Sequence, residues 1–428
     1  MLRRQVAMKR VLMIAYHFPP LAGSSGIQRT LRFVQQLPEF GWEPVVLTTT
    51  IRAYERTSAD LDTEVPGDIV VERAFALDAR RQLSIAGRYP AWLARPDRWM
   101  TWRFAGVRAG LGLIRRLRPE AIWSTYPIAT AHAIGASIAR RSGLPWIADF
   151  RDPMAQEGYP PDAKVWRSFK RVEEATIHAA RFSVFTTPGA AHMYRERYPE
   201  RAATAEVIEN GYDEESFTGL DAEALAREPL NPGAVTLLHS GVVYPSERDP
   251  TQLFAALAQL VRSRADGSMP LKLRFRAPAH DALLTDLARR FEVTESVEVL
   301  PPIPYREALA EMLRADALLI LQASNCNDQI PAKLYEYFRC GRPIVALTDP
   351  GGDTAATLRG AGLDAIAPLD SASDIAEILT STLIAIRGGN THIPDHAAVT
   401  GASRRGRTQA LAALLDRASA KYPNPARV

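Results

Sequence analysis

Residues 317–347 carry the pattern that most restricts how this chain can fold. Two short apolar runs, 317–321 and 343–347, have the length and the branched side chains of buried parallel strands. Between them, apolar residues recur at helical spacing after Pro331, which a first helical turn tolerates, and before Gly341, which is typical of a helix end. A strand, a polar loop, a helix and a second strand predict a parallel, doubly wound α/β sheet. Ligands bind to such sheets beyond the carboxyl ends of the strands.

The polar loop and the start of this helix contain three charged residues of interest. Lys333 and Glu336 are three positions apart and share one face of the first helical turn, while Asp328 lies eight positions before Glu336. A cation beside the N–H groups of a helix start suits a phosphate, and carboxylates suit the hydroxyl groups of a sugar. Taken alone, the pattern is more typical of a solvated ion pair on a surface helix. The rest of the chain favours a binding site.

The segment around Asp328 and Glu336 resembles the donor site of the retaining GT-B glycosyltransferases, the group 1 or sucrose-synthase-like family that builds bacterial polysaccharides. That family has two glutamates separated by seven residues, and here Asp328 replaces the first. Residues 330–343 resemble a subgroup that acts in surface-polysaccharide assembly. The resemblance covers nearly the whole chain. It implies two Rossmann-like, doubly wound α/β domains facing across a cleft, with a nucleotide-diphosphate sugar as donor substrate and no other cofactor.

In the second half of the chain, the resemblance assigns roles in donor binding and in catalysis. Glu336 is expected to hold the ribose of the donor, and Asp328 its sugar. The residues expected to surround the donor diphosphate are Ser240, Gly241, Arg248, Pro331 and Lys333. Of these, Arg248 and Lys333 are expected to stabilise the charge of the departing diphosphate, together with the helix start that follows Pro331.

In the first half of the chain, a small-residue loop and a charged cluster are the candidates. Gly23 and Ser24 stand where the family usually has a glycine pair that approaches the donor phosphate and the acceptor. Asp149, Arg151 and Asp152 lie at the end of a predicted strand, where crevice chemistry is expected, and a structural pairing of Arg151 with its neighbours is the alternative. By the resemblance, Arg151 or Asp152 stands where the family has a histidine that contacts the reacting sugar. His17 follows the first predicted strand, where a crevice residue and a histidine bonded to nearby backbone groups are equally good interpretations.

Length and composition agree with two globular domains. A chain of 428 residues is too long for one core, and 46% hydrophobic with 23% charged residues is not the composition of a disordered protein. Two cysteines provide neither a disulfide framework nor a cysteine metal cluster, and no metal site is expected. The predicted divisions are an acceptor-side domain over 1–217, a linker over 218–233, a nucleotide-sugar domain over 234–401, and a helix over 402–428 that returns to the first domain.

Positive charge is concentrated in residues 80–118. This segment has ten arginines and a single acid, Asp97, with interleaved tryptophans, whereas the whole chain has a net charge of only +4. Arginine mixed with tryptophan suits an anionic membrane surface. The alternative is that the tryptophans belong to the core and the arginines coat a solvated helix. No nucleic-acid-binding motif accompanies the segment, so no nucleic acid partner is expected.

No run of eighteen apolar residues exists, and the early run 11–15 is too short for a signal peptide. A cytoplasmic protein is expected, with peripheral contact to the inner face of the membrane as an open possibility. The predicted activity is transfer of a hexose from a nucleotide-diphosphate sugar to a hydroxyl of a glycan or lipid-linked acceptor, with retention and without a metal. A nucleotide-sugar epimerase of the same fold and a non-catalytic GT-B partner protein are the alternatives.

Overall fold

The computed structural model describes residues 8–22, 26–86, 88–263 and 270–420. These residues form two units. The first contains the chain up to Glu209 and again from Arg404 onward, and the second extends from Asn210 to Ser403.

A parallel sheet of seven strands forms the centre of the first unit, in the order β3-β2-β1-β4-β5-β6-β7. Its strands are β1 (Lys9–Ile14), β2 (Trp42–Thr49), β3 (Val70–Ala74), β4 (Ala121–Thr125), β5 (Trp146–Arg151), β6 (Phe182–Phe185) and β7 (Ala205–Val207). The helices of this unit are α1 (Gly26–Gln36), α2 (Ala59–Thr63), α3 (Ala79–Gln82), α4 (Trp102–Leu117), α5 (Ala129–Ser142), α6 (Ala163–Ala179), α7 (Pro188–Arg197) and, from the end of the chain, α16 (Arg404–Ser419).

The second unit is built around a parallel sheet of six strands in the order β10-β9-β8-β11-β12-β13. Its strands are β8 (Val235–Ser240), β9 (Leu271–Arg276), β10 (Val297–Leu300), β11 (Ala317–Leu321), β12 (Ile344–Leu347) and β13 (Ile366–Ala367). Its helices are α8 (Leu220–Leu225), α9 (Thr251–Ser263), α10 (Asp281–Arg290), α11 (Tyr305–Arg314), α12 (Lys333–Cys340), α13 (Asp353–Gly360), α14 (Ala372–Gly388) and α15 (His396–Gly401).

Both sheets are covered on two faces, as the continuous apolar runs require. In β1, Leu12 packs into one core of the first unit and Met13 into the core on the opposite face. In β11, Leu318 and Leu319 divide between the two cores of the second unit in the same way. Successive side chains of a strand point to opposite faces, so an all-apolar strand fits only a sheet that is buried on both sides. The predicted fold class of two doubly wound α/β domains is confirmed.

Residues 317–347 form the predicted succession of strand, loop, helix and strand. Its helix begins at Lys333 and ends at Cys340, and Gly341 follows in the left-handed conformation with φ of 60°. The loop after β11 is held by a buried glutamine, because Gln322 Nε2 donates to the carbonyl oxygens of Cys326 at 2.7 Å and Gln329 at 2.9 Å. The polar loop is therefore shaped from inside by one side chain.

The second unit begins before the predicted linker. Tyr212, Phe217 and Leu220 are buried in one of its cores, so residues 210–217 belong to this unit, and the predicted linker contains α8. The final helix α16 lies in the first unit, where Leu411 and Leu415 pack into the core that contains Met13.

The tryptophans of the arginine-rich segment differ in burial. Trp102 is completely buried at the start of α4, and Trp99 packs on Tyr16 with ring centroids 4.4 Å apart. Trp92 is 62% exposed. Arg98 forms ion pairs with Glu55 and Asp78, so part of the segment is structural.

A buried ion pair joins helix α1 to the end of β5. The guanidinium of Arg29 donates to both carboxylate oxygens of Asp149, at 2.9 and 3.0 Å, and both side chains are buried. The same guanidinium also donates to the carbonyl oxygens of Ile208 and Glu209, each at 2.9 Å. The pair therefore ties together three segments at the carboxyl edge of the sheet.

We expect Arg29→Ala to lower the free energy of unfolding by about 3–5 kcal/mol, because it leaves the Asp149 carboxylate buried without its cation. Urea unfolding measures the loss. The matched control is Arg116→Ala, which removes an exposed arginine whose ion pair to Glu72 is 3.9 Å long and should cost less than about 1 kcal/mol. Equal losses in the two variants would contradict a structural role for the buried pair.

Candidate functional site

The carboxyl edge of the second sheet brings together the end of β8, the turn after it and the start of α12. Ser240 ends β8, and its backbone N–H donates to the hydroxyl of Tyr337 at 3.0 Å. Tyr337 lies on the buried side of α12, so this hydrogen bond holds the helix against the strand end. Lys333 and Glu336, on the first turn of α12, are positioned by the same contact. Pro331, just before the helix, is half-buried, and its carbonyl oxygen accepts the N–H of Leu334.

The Lys333 ammonium lies against a histidine that sequence reasoning missed. Lys333 Nζ is 3.0 Å from His239 Nε2, and the other ring nitrogen of His239 is 3.0 Å from the carbonyl oxygen of Leu319. A carbonyl oxygen can only accept a hydrogen bond, so His239 donates from Nδ1 to Leu319. Its Nε2 accepts a hydrogen bond from the Lys333 ammonium. The one available signal was a histidine in a strand of mostly apolar residues, directly before Ser240 and Gly241.

Gly241 lets the ammonium approach the backbone of the turn. Its φ is +110°, a conformation that side chains strongly disfavour, and a Cβ there would lie 3.2 Å from Lys333 Nζ. The predicted glycine position is therefore explained both by backbone conformation and by space for the lysine.

Burial and neighbouring charge shift the titration of this pair. Burial first, and then the positive charge of Arg248, lower the pKa of Lys333 to about 7, while the Glu336 carboxylate acts in the opposite direction. Burial, and then the Lys333 charge, hold the pKa of His239 well below its ordinary value, so the ring is neutral. An anionic ligand would relieve this concentration of positive charge.

Arg248 supplies the second cation of this edge. Its Nη1 donates to the carbonyl oxygen of Val242 at 2.6 Å, and its guanidinium lies 5.1 Å from the centre of the Tyr244 ring. Both contacts lie in the turn after Gly241. The arginine is therefore fixed in the segment that approaches Lys333, and the lowered pKa of Lys333 reflects its charge.

The two predicted carboxylates differ in their surroundings. Glu336 accepts a hydrogen bond of 2.7 Å from the hydroxyl of Tyr305, the half-exposed first residue of α11. Asp328 is exposed on the loop after β11, eight positions earlier. Tyr305 is a second residue that sequence reasoning missed, because its contact spans 31 positions of the chain.

A cavity of about 560 Å³ lies along the same sheet edge, beyond β11, β12 and β13. Asp249, Asp349 and Asp370 contribute to its lining, and Lys333, Arg248 and Glu336 do not. Three carboxylates would repel a phosphate. The cationic group around Lys333 therefore suits an anion better than this cavity does.

In the first unit, Arg151 lies beside His17 at the carboxyl ends of β5 and β1. A Cβ at Gly26, the first residue of α1, would lie 2.5 Å from Arg151 Nη1 and 2.6 Å from His17 Nδ1, so the glycine makes this approach possible. Burial, and then the Arg151 charge, lower the pKa of His17 to about 4. Arg151 itself has a φ of 61°, and its Nε is buried without a hydrogen-bond partner among the described residues.

The remaining candidate residues of the first unit do not join the contact between Arg151 and His17. Asp149, part of the charged cluster, is the partner of Arg29 and is structural. Asp152 is exposed next to Arg151. Gly23 and Ser24 lie outside the described residues.

The described part of the chain has neither a metal-ligand cluster nor a helix suited to crossing a membrane. Within residues 8–22, 26–86, 88–263 and 270–420, no three His, Cys, Asp or Glu side chains form a group that could hold a metal ion. Over the same ranges, no helix has both the length and the apolar composition needed to cross a bilayer.

Comparison with known proteins places this geometry in a class. Over 97% of its length the chain superposes on a glycosyltransferase from Rickettsia africae, covering 100% of that chain, with a TM-score of 0.63 and 11% identity. It also superposes on Anabaena Alr3699/HepE in complex with UDP (TM-score 0.60, 14% identity, 97% and 98% covered). A third match is α,α-trehalose 6-phosphate synthase from Burkholderia multivorans (TM-score 0.61, 13% identity, 96% and 97% covered). The fold is that of the GT-B glycosyltransferases.

The sequence comparison is more specific for the first unit. Residues 25–211 match the family described as Glycosyl transferase 4-like domain. No curated protein matches the chain significantly. Residues 25–211 of the first unit are therefore similar to the glycosyl transferase 4-like domain, and the solved structures show that the chain has the GT-B fold.

The environment of Lys333 predicts an unusual titration. In protein labelled with ¹³C at lysine Cε, one resonance should titrate near pH 7, well below the ordinary lysine pKa of about 10.4. The chain has only six lysines, and Lys333→Arg should remove the one resonance that titrates at neutral pH. A spectrum in which every lysine titrates near its ordinary pKa would contradict the buried, positively charged environment described above.

Proposed function

We propose that the protein is a retaining glycosyltransferase that moves a hexose from a nucleotide-diphosphate sugar to a hydroxyl of a glycan or lipid-linked acceptor, in surface-polysaccharide assembly. The observation that carries the proposal is the Lys333 ammonium, held by His239 and Gly241 at the start of α12 with Arg248 nearby. The family match of the first unit supports it independently. The UDP present in the Anabaena HepE structure supports a nucleotide donor.

In the proposed reaction, the bond between the anomeric carbon and the diphosphate breaks while the acceptor hydroxyl bonds to that carbon. Negative charge develops on the leaving diphosphate, where Lys333, Arg248 and the positive end of the α12 dipole stabilise it. The acceptor proton passes to the leaving phosphate oxygen, on the same face of the sugar, which gives retention. These cations supply the charge that a metal would otherwise supply, so the transfer is proposed to be metal-independent.

The carboxylates hold the neutral parts of the donor. Glu336, oriented by the Tyr305 hydroxyl, is proposed to accept hydrogen bonds from the ribose hydroxyls. Asp328 is proposed to bind the sugar, with a side chain one methylene shorter than the glutamate of the resembling family. Ser240, the last residue of β8, and Pro331, two positions before α12, are proposed to lie on two sides of the diphosphate site.

In the first unit, Arg151 and Asp152 are proposed to contact the reacting sugar or the acceptor, with Gly23 and Ser24 preceding α1. The Arg151 side chain is partly exposed at the end of β5, and its guanidinium could donate to such a group. A lipid-linked acceptor would require a protein in the cytoplasm to reach the inner membrane surface, and residues 80–118 are the proposed point of contact.

The test is a panel of nucleotide sugars incubated with and without candidate acceptors. A glycosyltransferase should release free nucleotide far faster when acceptor is present, and the anomeric configuration of the product, read by NMR, should equal that of the donor. The rate should be the same in EDTA. Isomerised sugar without acceptor would indicate an epimerase, and no turnover with any donor would indicate a non-catalytic protein.

Lys333→Ala and Arg248→Ala should each slow transfer by about a hundredfold or more, the scale seen when a group that stabilises transition-state charge is lost. Nucleotide release with the best donor and acceptor of the panel measures the loss. Arg262→Ala, an exposed arginine near the end of α9, is the matched control and should keep the wild-type rate. Wild-type rates in both site variants would remove the diphosphate assignment.

A further inference from the structure

Helices α4 and α5 of the first unit enclose a groove between their outer faces, with a volume of about 530 Å³. We call it the arginine groove. It is lined by Arg103, Phe104, Val107, Arg108, Leu111, Arg115, Ser137, Arg140 and Arg141. The opposite side of the two helices is firmly anchored, because Trp102, Leu113, Ile134 and Ile138 are buried in the core. The groove is therefore a fixed feature of the surface.

The charged side chains that line the arginine groove are all positive. Neither α4 nor α5 contains an acidic residue. All five groove arginines are exposed, and none forms an ion pair with a described residue, unlike Arg98 and Arg116 of the same chain segment. Two of the five, Arg140 and Arg141, lie on α5 and outside the arginine-rich segment 80–118, so only the fold brings them to the others.

Apolar side chains lie among these arginines. Phe104 is 74% exposed on the first turn of α4, and Val107 and Leu111 continue the same side of the helix. From Arg103 to Arg115 the helix is about 18 Å long, which is enough to place several charges on one surface. An exposed aromatic ring flanked by unpaired arginines is a combination suited to the headgroup region of a bilayer.

We propose that the arginine groove is the docking surface for an anionic membrane. The arginines bind lipid phosphates, and Phe104 inserts at headgroup level. A nucleic acid would satisfy the arginines but would leave Phe104, Val107 and Leu111 without an apolar partner, so the membrane fits the whole surface better.

The groove also reaches the edge of the sheet that bears the candidate residues of this unit. Helix α4 begins at Trp102, whose ring lies 6.4 Å from that of Tyr16, the residue before His17. Docking through α4 would therefore bring this edge towards the lipid. The inference rests on the proposed function in one respect, because a lipid-linked acceptor would explain why the protein docks on a membrane.

The test is flotation with vesicles of phosphatidylcholine, with and without phosphatidylglycerol. The wild type should bind the anionic vesicles, and added salt should weaken the binding. The variant R103Q/R108Q/R115Q should bind on the order of a hundredfold more weakly, since each basic residue near an anionic surface contributes about fivefold. The matched control R262Q/R289Q/R290Q removes the same charge from exposed arginines of the second unit and should bind as the wild type does.

A second pair of variants tests the apolar contact. Phe104→Ala should weaken binding, whereas Ile384→Ala, which removes a 64% exposed apolar side chain from α14, should not. Equal binding to both vesicle types, or full binding by R103Q/R108Q/R115Q, would overturn the proposal. So would a wild type that ignores vesicles but binds a short DNA duplex through the same arginines.

Failure of this inference and failure of the proposed function can be told apart. Lys333→Ala should bind anionic vesicles like the wild type, because Lys333 belongs to the second unit. R103Q/R108Q/R115Q should bind UDP, used as the probe in calorimetry, as the wild type does. Loss of UDP binding in Lys333→Ala together with unchanged vesicle binding in R103Q/R108Q/R115Q would reject the docking surface and leave the donor site intact.

Discussion

The contact between the Lys333 ammonium and the neutral ring of His239 is the constraint on which the candidate site depends. It fixes the start of α12 against the end of β8, together with the hydrogen bond from Ser240 to Tyr337. Both contacts lie at the carboxyl edge of the sheet, so a parallel fold is what makes them possible. A protonated His239 would place a second positive charge 3.0 Å from the ammonium, and burial prevents that protonation. The end of β8, the turn at Gly241 and the start of α12 are thus held together around the Lys333 ammonium.

Much of this second unit could be predicted from the sequence, because the information is local. Apolar runs gave β11 and β12, and helical spacing ending at Gly341 gave α12. Gly241 and Lys333 could be located through a motif of a known family. The residues that complete the site could not be located in this way. His239, Tyr305 and Gln322 act through contacts with side chains or carbonyls far along the chain or inside a loop, and no spacing rule connects them.

In the first unit too, the role of a charged residue depends on contacts that are distant in the sequence. Asp149 and Arg151 are two positions apart in the sequence but have different partners in the fold. Asp149 points to Arg29, 120 positions away, and stabilises the unit, whereas Arg151 lies beside His17. The arginine-rich segment divides in a similar way, since Arg98 is paired and Trp102 is buried while Arg103 and Phe104 face solvent. Composition can count charges, but only packing decides which of them remain on the surface.

The lowered pKa of Lys333 has a consequence for how such a site can bind an anion. A fully solvated lysine would be charged at neutral pH and would attract the phosphate without any change in protonation. A lysine that titrates near pH 7 is protonated in only part of the molecules at that pH, and a bound diphosphate would raise its pKa and draw in a proton. Protonating it costs about 1.4 kcal/mol for each pH unit above that value, a modest amount compared with a charge-assisted hydrogen bond to phosphate at a buried position. Burial would therefore cost the proposed site little affinity at neutral pH, while it removes the water that would otherwise screen the ammonium from the charge of a bound diphosphate.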